Sequence, residues 1–384
     1  MNLKAAGVKK NRKIKVPWAK PVFSGFERRY LLDVFDSGWI SSGPYVDCFE
    51  REFSRIHQGR HALAVSSGTS ALQLVLAALG IGPGDEVVVP AFSFAAAANM
   101  VMARGARCVF ADIDPATWCM DFNSVKRCLG VKTKAIIAVH PYGNICDMDV
   151  LAALVKKRRI CLIEDVAQAA FSRYRGFPAG TFGDAAIFSF QSAKTIVMGE
   201  GGCVLVSDAD LWRKMRLMRD HGMRKDRHYW HDVVGYNFRL TDLQAALGCA
   251  QLENLDVILA NKRRVFEAYK KYLLNLPGVV MQFFKDCVEP VVWAVAVRVK
   301  PSFFKGGRDG LMRALFKLGI ETRPGFYPAG MMPLFRAPRL PVAEQIGLNV
   351  ISLPSSPSMT EKEVYFVCSK VKKLITEKNE DDRQ

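Results

Sequence analysis

Ala62-Leu-Ala-Val-Ser-Ser-Gly-Thr-Ser-Ala71 starts as an apolar run and turns polar at Ser66. The run reads as a strand over 62–66, and Leu72, Leu76 and Leu79 on one face read as a helix over 70–79. A strand that passes through a glycine straight into a helix is one repeat of a layered α/β fold. Gly68 lets another backbone come close, Thr69 and Ser70 can cap, and the free amides of a first helical turn can take a phosphate. An ordinary capped turn has the same local pattern.

Working outward, Gly80-Ile-Gly-Pro-Gly84 stops that helix and 87–89 reads as the next strand. Further strands fit 107–111, 135–139, 160–163, 185–190 and 203–206, with helical patterns between most of them. Strands alternating with helices predict a mostly parallel sheet sandwiched by helices. Before it, 27–53 reads as helix, Gly/Ser turn and helix. After it, a long charged helix over about 240–274 leads to strand-like 291–299 and a helix near 309–318, the texture of a smaller C-terminal α+β domain. The expected division is a basic N-terminal arm over 1–13, a large domain over 14–255 and a small domain over 256–384.

The 384 residues are 50% hydrophobic and 24% charged, which excludes collagen-like, low-complexity and wholly disordered chains. Lys and Arg exceed Asp and Glu by 17 charges, a balance that suits nucleic acid, a membrane surface or a small polyphosphate substrate alike. The longest uncharged run, 87–103, contains Pro90, Ser93 and Asn99 and reads as strand, loop and helix start, not a membrane span. Ten cysteines without a CxxC pair read as free thiols of a cytoplasmic protein.

Two further stretches carry chemistry. In Ile163-Glu-Asp-Val-Ala-Gln168, Asp165 falls at the C-terminal end of a central strand, where α/β proteins build their sites. An acid there suits a metal, a ribose or a protonated ring nitrogen. In Phe188-Ser-Phe-Gln-Ser-Ala-Lys194, the lysine lies between an apolar strand and the Gly-rich turn Gly199-Glu-Gly-Gly202. Burial would lower its pKa and make the amine nucleophilic. Phosphate cradle, strand-end acid and buried lysine together make the set that pyridoxal 5′-phosphate needs.

From about Lys15 to Lys373 the chain resembles the DegT/DnrJ/StrS-type sugar-nucleotide aminotransferases, a family of fold type I pyridoxal-phosphate enzymes. The resemblance rests on Ser37-Gly-Trp-Ile-Ser-Ser-Gly43, Ser66-Ser-Gly-Thr-Ser-Ala-Leu72, Gly82-Pro-Gly-Asp-Glu-Val-Val88 and Pro90-Ala-Phe-Ser-Phe94. It also rests on Glu164-Asp-Val-Ala-Gln168, Gly199-Glu-Gly-Gly202 and Gly235-Tyr-Asn-Phe-Arg-Leu-Thr-Asp-Leu-Gln-Ala-Ala246. It implies that Lys194 attaches the cofactor and shuttles the proton, that Asp165 pairs with the ring nitrogen and that Gln168 meets the ring hydroxyl. Phe94 would stack on the ring, Gly68, Thr69 and Ser189 would hold the phosphate, and Asn237 would reach the cofactor of a neighbouring subunit. A homodimer with shared sites follows.

Within the family, Lys194-Thr-Ile196, Asp220-His-Gly-Met223, His228-Tyr-Trp-His231, Arg323-Pro-Gly-Phe-Tyr-Pro328 and Leu353-Pro-Ser-Ser-Pro357 are similar to members that aminate C4 of GDP-4-keto-6-deoxymannose, with L-glutamate as donor, for O-antigen or other glycan synthesis. Gln191 stands where many members have histidine near the sugar, which leaves the hexose open; the sequence also leaves open the base, GDP, UDP or dTDP, and amination at C3 or C4. Gln191, His221, Arg239, Arg323 and Tyr327 are the candidate substrate contacts. Fold relatives that act as dehydratases replace the cofactor lysine with histidine, and Lys194 is present here.

No metal is expected. Asp112-Ile-Asp114 ends a strand with no third ligand nearby, and His57 and His61 lack the glutamate of a zinc motif. No nucleic-acid partner and no membrane partner are expected either.

Overall fold

Nine strands open the chain's α/β region, and seven of them join in one sheet. The structure, a computed structural model, describes residues 14–335 and 337–381, with side chains as far as 375. The basic arm expected over 1–13 lies outside these residues. The strands are β1 (His61–Val65), β2 (Glu86–Pro90), β3 (Arg107–Ala111), β4 (Thr133–Val139), β5 (Cys161–Asp165), the short β6 (Arg173–Tyr174) and β7 (Phe177–Pro178), β8 (Ala185–Ser189) and β9 (Gly202–Val206). The sheet order is β1-β9-β8-β5-β4-β2-β3. β3, β2, β4, β5 and β8 are parallel neighbours, and β9 is antiparallel to both β8 and β1. The strand ends that matter for the site therefore emerge on one edge.

Because successive side chains on a strand point to opposite faces, the apolar runs feed two cores at once. Leu63, Val87, Val89, Ile137, Ile163, Ile187 and Val204 face one core, while Ala64, Val88, Ile136, Leu162, Phe188 and Leu205 face the other. The helices that cover them are α1 (Phe26–Ser37), α2 (Pro44–Ile56), α3 (Gly68–Ala78), α4 (Ala96–Ala103), α5 (Phe122–Cys128), α6 (Met148–Arg158), α7 (Ala209–Arg219) and α8 (Asp242–Glu253).

The single helix expected over 240–274 is two helices. α8 stops at Glu253, Asn254 takes φ −100° and ψ 15°, and α9 runs from Leu255 to Leu273. Asparagine is a poor interior helix residue because its side chain competes for nearby backbone groups. α9 leads into β10 (Val279–Met281), β11 (Val288–Glu289), β12 (Ala296–Val299), α10 (Gly307–Lys317), β13 (Arg323–Pro324), α11 (Pro341–Asn349), β14 (Val350–Ser352) and α12 (Glu361–Asp381). Four of these strands form an antiparallel sheet in the order β10-β12-β14-β13. Val265, Tyr269, Val297, Leu311, Ile351, Val364 and Val367 share its core.

The strand expected over 291–299 begins only at Ala296. Residues 291–293 instead cross close over Gly143, whose φ of 102° and missing side chain leave room: a Cβ there would sit 2.5 Å from Val291 O. At the other end, Val16 pairs with Ile320, and Trp18 N–H donates to Glu321 Oε2 at 3.0 Å, so the segment after residue 14 runs along the smaller unit.

Candidate active site

The turn from β1 into α3 is built by hydrogen bonds that leave part of its first turn open. Ser67 caps the helix: its Oγ accepts from Ser70 N–H at 3.0 Å, while Ser70 Oγ accepts from Ser67 N–H at 2.9 Å. This reciprocal capping box fixes the turn and leaves the Gly68 and Thr69 amides beside a cleft. The turn is wedged between two other strands. A Cβ on Gly68 would lie 2.9 Å from Ser189 Cβ, and one on Gly202 would lie 2.4 Å from Ser67 C. Backbone amides at a helix N-terminus, in a cradle that any side chain would fill, suit a phosphate.

Neighbouring residues of β5 do different work because they point to opposite faces. Glu164 is fully buried, accepts N–H bonds from Gly180, Phe182 and Gly183, and pairs with His140 Nε2 at 3.1 Å. Asp165 turns to the cleft, where its Oδ1 accepts from Ala167 N–H at 3.0 Å. Burial pushes the Asp165 carboxyl up, opposed by the Ala167 amide and the Lys194 charge. A cation brought beside Asp165 would hold it ionised. Gln168 Oε1 accepts from Tyr142 N–H at 3.2 Å, so one turn ties β4's end to β5's.

Lys194 follows β8 in a turn closed by its own N–H to Gln191 O at 2.8 Å. Its Nζ lies 4.1 Å from the centroid of the Trp293 ring. Burial lowers its pKa to about 8, with Asp165 pulling the other way. About a tenth of the amine is then neutral at pH 7, far more than for an ordinary lysine, as a nucleophilic lysine requires.

The structure gathers Gly68, Thr69, Phe94, Asp165, Gln168, Ser189, Gln191, Lys194, Arg323 and Tyr327 around one cleft of about 970 Å³. Phe94 is 62% exposed and faces Phe326 across 6.2 Å. Asn237, His221 and Arg239 do not line it. They cluster on a loop outside, where Arg239 Nε donates to Asn237 Oδ1 at 3.1 Å and Arg239 Nη2 meets His221 Nε2 at 3.3 Å. Tyr142, Trp18, Trp293 and Phe326 line the cleft without having been picked from the sequence. Tyr142 follows the end of β4, so the rule that found Asp165 also pointed to it. Its φ of 55° is strained for a tyrosine, and Trp293 and Phe326 hold its ring from two sides.

The lookalike motifs are structural. Asp112 accepts from Val342 and Ala343 N–H and so caps α11. Asp114 Oδ1 accepts from the Ala116 and Thr117 amides. His57 Nδ1 contacts Phe53 O in the core, whereas His61 stacks on Trp212.

Residues 23–372 match the DegT/DnrJ/EryC1/StrS aminotransferase family. The chain belongs to this family. The aminotransferase is 39% identical over 366 residues to the GDP-perosamine synthase of Escherichia coli O157:H7, covering 94% of this chain and 99% of that one. It superimposes on the aminotransferase TlmJ of Streptoalloteichus hindustanus with a TM-score of 0.89 at 30% identity, over 94% and 99% of the two chains. A sugar aminotransferase of Streptococcus pneumoniae, Spr1654, in its PLP form gives 0.89 at 26% identity over the same shares. The fold is that of fold type I aminotransferases, and pyridoxal 5′-phosphate is the cofactor; the amide cradle, the strand-end carboxyl and the cleft-lining amine fit it. Among the described residues no helix is long and apolar enough to cross a membrane, and no three His, Cys, Asp or Glu side chains gather as metal ligands.

Proposed function

We propose that this aminotransferase moves an amino group from L-glutamate to C4 of GDP-4-keto-6-deoxy-D-mannose, making GDP-perosamine for a surface glycan such as an O-antigen. The near end-to-end likeness to the Escherichia coli GDP-perosamine synthase carries this reading. Pyridoxal 5′-phosphate, when bound, supplies an electrophilic carbon and an electron sink. Lys194 Nζ holds the cofactor and moves the proton at the reacting carbon. Asp165 would pair with the ring nitrogen, and Gln168 would meet the ring hydroxyl. Gly68 and Thr69 N–H with Ser189 Oγ anchor the phosphate, and Phe94 covers the ring.

Gln191, Arg323 and Tyr327 border the cleft mouth and meet the nucleotide sugar, whose diphosphate and base supply the binding energy that brings the ketone to Lys194. Asn237, His221 and Arg239 serve the site of a second copy. Their place outside this chain's own cleft supports such a homodimer. Sedimentation at twice the chain mass is the expected result; a monomer would remove the shared site. The large domain over 14–255 holds the cofactor, and the domain over 256–384 adds Trp293, Arg323, Phe326 and Tyr327 to the cleft. Ten free cysteines support a cytoplasmic location.

The test is incubation with glutamate and a panel of nucleotide-linked keto sugars, read by mass spectrometry. The GDP-linked 4-keto sugar should gain the amine with the largest kcat/KM. Amination of UDP- or dTDP-linked sugars alone would overturn the substrate assignment and leave the reaction class standing.

A further inference from the structure

The turn after β8 is not all that fixes the Lys194 amine. Trp293 reaches the cleft from the stretch before β12, and three separate contacts hold it. Lys262 Nζ, buried on α9, donates to Trp293 O at 2.7 Å and to Ser355 O at 3.0 Å. The Trp293 indole N–H donates to Ala193 O at 2.7 Å, the residue just before Lys194. The ring packs near-parallel to Tyr142, at 5.8 Å and 20°, and edge-on to Trp18, at 5.9 Å and 84°. With main chain, indole nitrogen and ring each engaged, the indole has one orientation, and its face carries Lys194 Nζ.

We propose that Trp293 is a positioning residue for Lys194, its indole face holding the amine over the cleft and favouring the ammonium form, with Lys262 fixing Trp293 in place. The proposal rests on the reading of Lys194 as the reactive amine. The physical reason lies in what an aromatic face offers. It attracts an ammonium through the ring quadrupole but accepts none of its protons in a directed hydrogen bond. Carbonyl acceptors would tie those protons down, as they do for Lys262. An amine that must both attack and return a proton needs its charged form sustained without being locked.

Burial works against the charge on Lys194, Asp165 at the end of β5 works for it, and the Trp293 face adds to Asp165. The other titratable groups nearby are Lys262 from α9, on the Trp293 carbonyl, and Glu200, Glu321 and Arg323 on the cleft lining. His140 sits behind Asp165 and is paired with Glu164.

The experiment uses the full-length chain freed of cofactor. Trace acetylation of Lys194 across pH 6–11, read by peptide mass spectrometry, reports the titration midpoint of the amine. Trp293→Leu should lower that midpoint by about one pH unit, and Trp293→Phe by roughly half as much. Lys262→Met should lower it in the same direction by less, because the indole keeps its other contacts. Midpoints unchanged or raised in both Trp293 variants overturn the proposal, and Trp293→Phe decides alone if the leucine variant does not fold. Full turnover by Lys194→Ala would sink the underlying reading instead, an outcome that the acetylation midpoint does not touch.

Discussion

Two lysines meet Trp293, one at its carbonyl and one at its ring, and the regions around them differ in what they leave open. Lys262 on α9 is buried, donates to two carbonyls, and has its pKa lowered to about 7 by burial. Lys194 is held at about 8, but its amine lies over an aromatic face and borders a cleft of about 970 Å³. A depressed pKa is thus common to both and does not by itself make a lysine reactive. Access and an amine not tethered by carbonyls do, and those come from the cleft and from the indole face. Lys262 spends its donors on the junction between α9, the Trp293 stretch and the loop at Ser355.

The largest test of this contrast exchanges the two amines' fates. Lys194→Ala should cut transamination to background and abolish covalent retention of the cofactor, read by visible absorbance after gel filtration. Lys262→Met should keep both, with turnover reduced only a few-fold. If the two variants lost activity equally, the distinction between them would collapse.

Next in size is the cradle that serves only the Lys194 side. Gly202→Ala forces a Cβ to within 2.4 Å of Ser67 C. It should lower stability by about 2 kcal/mol, read as a urea midpoint, and weaken cofactor binding with it. A neutral result would mean that the β9 and α3 backbones can part without consequence.

The third effect concerns pH. Lys262 titrates at about 7 in the folded chain and near 10.5 when unfolded, so between those values the unfolded state binds more protons. Stability of the cofactor-free chain should therefore gain a rising contribution from pH 7 upward, with Lys194 adding its own from about 8. Lys262→Met should flatten the rise in urea midpoint between pH 7 and 9. An unchanged slope would show that Lys262 keeps its proton despite burial.

The parts of the site visible in the sequence were those set by local pattern. Gly68, Asp165 and Lys194 each follow or end an apolar strand, and a strand end is readable from composition and turn residues. Asn237, His221 and Arg239 carried motif signals too, yet they fold onto a separate loop of the chain, away from its own cleft. Asn254 broke a helix that its neighbours' periodicity would have continued. Trp293 and Trp18 were not legible as site residues, since nothing local separates a cleft tryptophan from a core one.

What the amino-acid sequence decided alone was the order of strands and helices, the strand-end chemistry and the family. Periodicity, turn residues and motif order are local, and each acts within a few positions. Tertiary structure decided that Glu164 turns to a buried clamp while Asp165 turns to the cleft, because adjacent strand residues face opposite cores. It also decided which of the two lysines beside Trp293 stays available. That choice depends on whether a carbonyl or an indole face meets the amine, and the chain brings those partners from distant positions: Trp293 and Ser355 to Lys262, and Trp293 to Lys194.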